Sequence, residues 1–356
     1  MSIPTEPIGS IPRPAELIAA IQDQQANRIS AEQFDAIAAR AIHDTIRCLE
    51  QTGSTVITDG EQTKPSFATY PIAGLANLAP DGAVIPFADG HTRQLPRLAA
   101  GPFHCARYAS TYLAAAKRIT SLPLKQAVIS ASALSLLYPA SGIPGSRDTF
   151  LSDLVGEAST DIRQCLEQGA DTVQIDFTEG RLSLKLDPSG GLLEDFVALN
   201  NRVLGQLSPD EQERTGVHVC PGGDRDSTHS ADVDYAGLLP ALFRMRVSRF
   251  YLQLASESEP ERVLRFVREH LAQNPNVRVF VGVVDPIHSA VETPEQVCDR
   301  VLRAAEYLPV SQLGSTDDCG FSPFADDTST SREIAFAKIR ARVEGTRLAA
   351  EKLAGR

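Results

Sequence analysis

The sequence predicts an α/β chain folded as a (β/α)8 TIM barrel, and three observations predict it. About eight short β-rich runs alternate with amphipathic helical runs along the 356 residues. Ionisable residues follow nearly every one of these runs, as expected when all strand C-termini ring a single site at one face of a barrel; a doubly wound open sheet would gather them at one switch point instead. No Gly-x-Gly-x-x-Gly follows the first strand and no Walker A sequence is present, so nothing points to a nucleotide-binding sheet. We expect one domain spanning 1–356, with a hairpin-containing insertion after the second strand.

The elements follow in order. Glu6-Pro7-Ile8-Gly9-Ser10-Ile11 opens the barrel, and helical stretches follow around 15–24 and 31–51. Ser54-Thr55-Val56-Ile57-Thr58-Asp59-Gly60-Glu61 forms the second strand and ends in a polar cluster. From about 66 to 104 proline, glycine and short apolar pieces such as Ala83-Val84-Ile85-Pro86-Phe87 mark the insertion. A helix near 107–120 leads to the third strand, Lys125–Ser130, and a helix near 150–168 to the fourth, Thr172–Phe177, with Glu179 and Arg181 on the loop beyond. Gly216–Cys220 closes the fifth, and a helix over 231–246 precedes the sixth, Phe250–Leu254. A helix at about 260–272 buries Val263, Leu264, Phe266, Val267 and Leu271 on one face and delivers the seventh strand, Val277–Asp285. Thr293-Pro294-Glu295-Gln296 opens the next helix with a capping box and proline in the first turn. Gln312–Thr316 is the last strand, and a charged helix from about 329 to 352 ends the barrel.

Composition narrows the function. A hydrophobic content of 42% supports a large core, and no run approaches the roughly 18 apolar residues of a membrane span. The N-terminus lacks the basic and apolar segments of a signal peptide, so a cytoplasmic location is expected. Six cysteines are too sparse for a disulfide scaffold, and in a reducing compartment they stay available as thiols. The net charge of −11 argues against nucleic acid as a partner and favours small molecules; the sequence does not determine the oligomeric state.

Gly216-Val217-His218-Val219-Cys220-Pro221-Gly222-Gly223 carries the chemistry. Side chains alternate along a strand, so His218 and Cys220 face the same way and both reach one ion. The pair alone is equally compatible with a core histidine beside a buried thiol. Cys319, in Asp317-Asp318-Cys319-Gly320, adds a third soft ligand at another strand end.

In order and spacing, Ile8-Gly9-Ser10, Asp59-Gly60-Glu61, Val173-Gln174-Ile175-Asp176, His218-x-Cys220, Asp285 through His288-Ser289 and Asp318-Cys319-Gly320 resemble the C-terminal catalytic barrel of the cobalamin-independent methionine synthase family, in a stand-alone form, over nearly the whole chain. The resemblance implies a zinc site whose His, Cys and Cys ligands match His218, Cys220 and Cys319. The family's glutamate ligand falls at Gln253, leaving Gln253, Glu257 from the following loop, or an open position as the fourth. It further implies that Ile8 and Ser10 bind the amino-acid thiol by backbone and hydroxyl, and that Glu61 and Asp176 bind its amino group. His288 matches the histidine near the reacting centre, with Asp285 and Asp318 as its partners, although one extra residue separates Asp285 from His288. The family's pterin donor packs on a tryptophan that this chain lacks; Leu137 or Tyr138 falls near that place.

The implied activity is zinc-dependent methyl transfer to a small thiol such as homocysteine, in methionine biosynthesis. A free thiol is only a few per cent ionised at neutral pH, and coordination to zinc removes its proton. Alternatives are an alkyltransferase or demethylase using another thiol or donor in a catabolic pathway, and a non-catalytic metal- or thiol-binding barrel. The ring of ionisable groups at Glu61, Asp176 and His288 speaks against the last.

Overall fold

A computed structural model describes residues 2–355. Six parallel strands pair in strictly sequential order: β1 (Lys125–Ile129), β2 (Thr172–Asp176), β3 (Thr215–Val219), β4 (Arg249–Leu252), β5 (Arg278–Val284) and β6 (Leu313–Asp317). The remaining two staves of the ring are reduced to single bridges. Thr5 pairs in parallel with Ser315 on β6, and Ile57 with Leu124 just ahead of β1. Between these two segments, Ile11 N donates to Gly60 O at 3.1 Å and Thr58 Oγ1 to Gly9 O at 2.9 Å. The ring is therefore continuous, though the first two expected strands are irregular. Pro4, Pro7 and Pro12 explain part of this, since each removes a ladder donor from the first segment.

β1, β2, β3 and β6 are buried at every residue, with helices outside and barrel interior within. The outer core is one continuous cluster running from Ile3 to Ala350. Inside the ring, Tyr251 and Phe280 stack with centroids 4.8 Å apart, and Lys125 Nζ sits 3.8 Å above the Tyr251 ring.

Most helices lie where periodicity places them. Ala31–Glu50, Pro294–Tyr307 and the short Pro209–Glu213 begin with capping boxes, from Ser30, Thr293 and Ser208 respectively. Four helices lie outside the sequence-based expectations: Ala131–Ser135 after β1, Glu179–Leu186 and Gly191–Leu204 after β2, and Pro209–Glu213 before β3. Within the stretch after the second segment, Val84–Pro86 pairs antiparallel with Thr92–Gln94, and Leu78–Ala79 with Arg97–Leu98. This hairpin is fastened down by Arg93, which donates to both oxygens of buried Asp224 and to Asp326. None of the described helices is long and apolar enough to cross a membrane.

Candidate metal and substrate site

His218, near the C-terminal end of β3, Cys220, just past it, and Cys319, just past β6, converge: their ligand atoms lie within 4.8 Å of one another, and all three residues are buried. Cys220 Sγ and Cys319 Sγ are 3.0 Å apart. His218 Nδ1 faces the Tyr251 carbonyl at 3.2 Å, which assigns the ring proton to Nδ1 and leaves Nε2 with its lone pair. That Nε2 is buried and has no hydrogen-bond partner among the described residues. A buried imidazole nitrogen without a partner, beside two thiols, is the donor set a soft metal ion satisfies. The Cys220 thiol, followed by His218, pushes Cys319 well below the usual thiol range, while Cys220 is pushed up in exchange.

The turn after β3 depends on glycine. Gly222 has φ +69° and the His229 ring lies where a Cβ would stand, 1.7 Å from Nε2, so any side chain there would displace both. This turn lets Gly222 N reach back to Cys220 Sγ at 3.4 Å.

A pocket of about 30 Å3 opens beside the cluster, lined among others by Ile8, Ser10, Glu61, Asp176, His218 and Cys319. The fold thus brings into one pocket Ile8 and Ser10 from the first stave, Glu61 from the second and Asp176 from β2, beside the metal-ligating candidates. Glu61 has φ +54°, following Gly60 at +69°, a backbone strain that turns its carboxylate inward. Burial raises Asp176 to about 7, opposed by His218, and Gln174 Nε2 donates to its Oδ1 at 2.7 Å. Ser10 Oγ accepts from Ser322 N at 3.1 Å, tying the first stave to the loop after β6.

These residues sit in a recognisable frame. Residues 3–344 match the family model for the cobalamin-independent synthase catalytic domain. The chain belongs to this family. It is accordingly a methyltransferase. Similar curated proteins include the methionine synthase of Sulfurisphaera tokodaii, 24% identical over 99% of this chain and 94% of the relative. That of Saccharolobus solfataricus is 23% identical over 99% and 96%. Among solved structures, a B12-independent methionine synthase from Shewanella sp. W3-18-1 in complex with selenomethionine superposes with TM-score 0.77 at 19% identity, each chain covered completely. A putative vitamin-B12-independent methionine synthase from Listeria monocytogenes gives 0.69 at 20%, with 98% of both chains covered. At such identities the structures establish the barrel fold.

Not every residue expected from the family converges. Gln253 and Glu257 are both claimed by Arg181, whose Nη1 donates to Gln253 Oε1 at 3.1 Å and to Glu257 Oε1 at 2.9 Å; Gln253 Nε2 meanwhile donates to Ser256 Oγ at 2.8 Å. Neither lines the pocket. His288 is exposed, its Nδ1 accepting only from Ala290 N at 3.2 Å, and Asp285 serves the same loop by accepting from Ile287 N at 2.9 Å. The extra residue in Asp285-Pro286-Ile287-His288 brings Ile287, not His288, toward the metal side: a Cβ on Gly223 would meet Ile287 Cδ1 at 2.7 Å and Cys319 Sγ at 3.9 Å. Asp318 does not orient His288. Its carboxylate takes the backbone N–H groups of Leu254, Ala255 and Ser256 and the Ser256 hydroxyl at 2.7–2.9 Å, holding the turn after β4. Tyr138 packs on Phe150 with centroids 5.2 Å apart.

Lys64 is the functional residue that sequence reading missed. Its buried ammonium donates to Glu61 Oε1 at 3.0 Å and to Ala127 O at 2.9 Å. Against the desolvation of burial, Glu61 and Asp59 hold it above its ordinary pKa, so it stays charged. Its spacing three residues after Glu61 was the available signal. Arg13 is the other omission: five donations to the carbonyls of Glu61, Gln62, Lys64, Ser322 and Phe324 clamp the two loops that build the pocket.

Proposed function

We propose that the protein transfers a methyl group to the thiol of homocysteine, with zinc held by His218, Cys220 and Cys319. The observation that carries this reading is the partnerless buried His218 Nε2, set between two thiols on the wall of a pocket that also carries Glu61 and Asp176. Zinc in this position would supply the Lewis acidity that keeps a substrate thiol deprotonated at neutral pH.

The chain's own residues do the rest. Glu61 and Asp176, with Asp59 nearby, outnumber Lys64 in charge, which favours an ammonium group between them. Lys64 engages one Glu61 oxygen and so fixes the carboxylate's rotamer. Ser10 and the Ile8 backbone then orient the amino acid so that its thiol faces the metal side of the pocket. Burial of every one of these groups keeps water from competing for the methyl carbon. Ranking His218, Cys220 and Cys319 as the complete protein ligand set follows from Arg181's hold on Gln253 and Glu257, and a three-ligand set leaves the fourth position to substrate.

The test is metal content together with product. Purified protein should carry about one zinc per chain and form methionine from homocysteine and a methyl donor, while His218→Ala and Cys319→Ser lose both. Full activity without metal would sink the reading.

A further inference from the structure

Lys125, the first residue of β1, is fully buried inside the ring, and its ammonium has no hydrogen-bond partner among the described residues. Two groups face it closely. Its Nζ lies 3.8 Å above the Tyr251 ring on β4 and 3.7 Å from Glu6 Oε2 on the first stave. The same Glu6 oxygen accepts from Tyr251 Oη at 2.6 Å, so ammonium, ring and carboxylate form one inner trio. If this corner needed only to be filled, a methionine would fill it without burying a charge. A lysine here calls for an account beyond packing.

The carboxylate beside it supplies one. Glu6 stands just ahead of Ile8 and Ser10, the two residues that orient the amino acid on the proposed methyl-transfer reading. Pro4 and Pro7 remove ladder donors from this stave, and one bridge, Thr5 to Ser315, pairs it with β6. Its inward anchors are the Glu6 side chain and the Ile8 carbonyl, which accepts from Gln174 Nε2 at 3.2 Å, while the Ile8 side chain packs on Tyr251 and Phe280. Tyr251 is held differently, by parallel ladders to β3 on one side and β5 on the other. Its carbonyl, which faces His218 Nδ1, is therefore fixed without help from Lys125. What the ammonium can move is the first stave.

We propose that Lys125 is a positioning residue for the thiol substrate: its ammonium anchors Glu6 against Tyr251 and thereby sets the first stave where Ile8 and Ser10 meet the amino acid. The inference rests on the methyl-transfer reading for the identity of that amino acid. Burial lowers Lys125 to about 8; Arg342, on the closing helix Arg332–Ala354, adds to the fall, while Glu6, Asp176 and Asp317 oppose it. The ammonium is present below that pH and is lost as pH rises through it.

The experiment titrates homocysteine calorimetrically into zinc-loaded wild type, Lys125→Met, Lys125→Arg and Tyr251→Phe, with no methyl donor present. Zinc affinity is measured separately by competition with a chelator. At pH 7 we expect Lys125→Met to weaken homocysteine binding about tenfold, Lys125→Arg to recover most of that loss, and Tyr251→Phe, which cuts the bond to Glu6 but keeps the ring, to weaken it about threefold. Zinc affinity should stay within about twofold throughout. By pH 9 the gap between wild type and Lys125→Met should close to about twofold, because the wild type then loses the charge that the variant never had. Comparison at equal pH cancels the titration of homocysteine itself. Homocysteine binding within twofold of wild type in Lys125→Met at pH 7, a gap that stays constant to pH 9, or equal losses of zinc and homocysteine affinity would overturn the assignment. If Lys125→Met does not fold, unweakened binding in Tyr251→Phe overturns it instead. A wild type that holds zinc but not homocysteine would sink the methyl-transfer reading, whereas normal homocysteine binding in Lys125→Met would sink the positioning role alone.

Discussion

Asp176 ends a strand whose direction is fixed on both sides by parallel partners, so its placement in the pocket follows from the barrel itself. Asp176→Asn should raise the KM for homocysteine by about 30-fold, the loss of one charged hydrogen bond worth roughly 2 kcal/mol, while metal content measured by atomic absorption stays at the wild-type value. His288 sits on a loop, where one additional residue redirects every side chain after it. Because it is exposed and lies outside the pocket lining, His288→Ala should change kcat less than twofold; a loss of two orders of magnitude would show that the loop closes inward during turnover. Of the residues that sequence reading overlooked, Lys64 has one partner, Glu61, at a legible i,i+3 spacing, while its Ala127 carbonyl and all the carbonyls that Arg13 holds are brought close only by the fold.

Individual elements were legible to the degree that their periodicity was unbroken. β5, an apolar run with Val279, Val281 and Val283, and the Pro294–Tyr307 helix with its capping box stand almost where sequence placed them. The helix Glu179–Leu186 spans only eight residues, too few to show a full apolar stripe ahead of Pro188-Ser189-Gly190-Gly191, whereas Gly191–Leu204 carries its stripe in Leu193, Phe196, Val197, Val203 and Leu204 but opens on glycines that read as a loop. The hairpin at 84–94 was visible, but its anchor was not. Arg93 reaches across 131 residues to Asp224. Arg93→Ala leaves that buried carboxylate with only His91 as a side-chain partner, and should cost about 2 kcal/mol. Limited proteolysis should then cut within 78–98 much faster than in the wild type, with the barrel helices still protected.

Across the whole molecule, a buried contact joins the hairpin-bearing stretch to the outer helices. Asp161, on the Arg147–Glu167 helix, accepts from Tyr70 Oη at 2.5 Å and from Ala109 N at 2.6 Å. Burial raises its pKa to about 6, in spite of both bonds. A carboxyl whose folded pKa exceeds its unfolded value stabilises the fold fully below the unfolded pKa, and that contribution is lost as pH rises through the folded one. Urea unfolding should therefore show Asp161 costing about 2–3 kcal/mol more at pH 7 than at pH 4, and Asp161→Asn should flatten that part of the profile. An unchanged profile in the variant would mean that another buried acid carries the effect. The barrel class was legible because ionisable residues follow nearly every stave, a whole-chain pattern that survives even where a stave is irregular.

The single bridge from Thr5 to Ser315 has a consequence for the chain during its synthesis. The first stave leaves the ribosome with only the second segment to lean on, through Thr58 and Gly60, and its neighbour on the other side is the last stave to be translated. Cys319 emerges later still, some 100 residues after Cys220. Nascent chains stalled short of residue 319 should therefore stay open to protease at the N-terminal segment and hold zinc weakly, and the cell must keep the unclosed ring from aggregating for most of the time the protein takes to make.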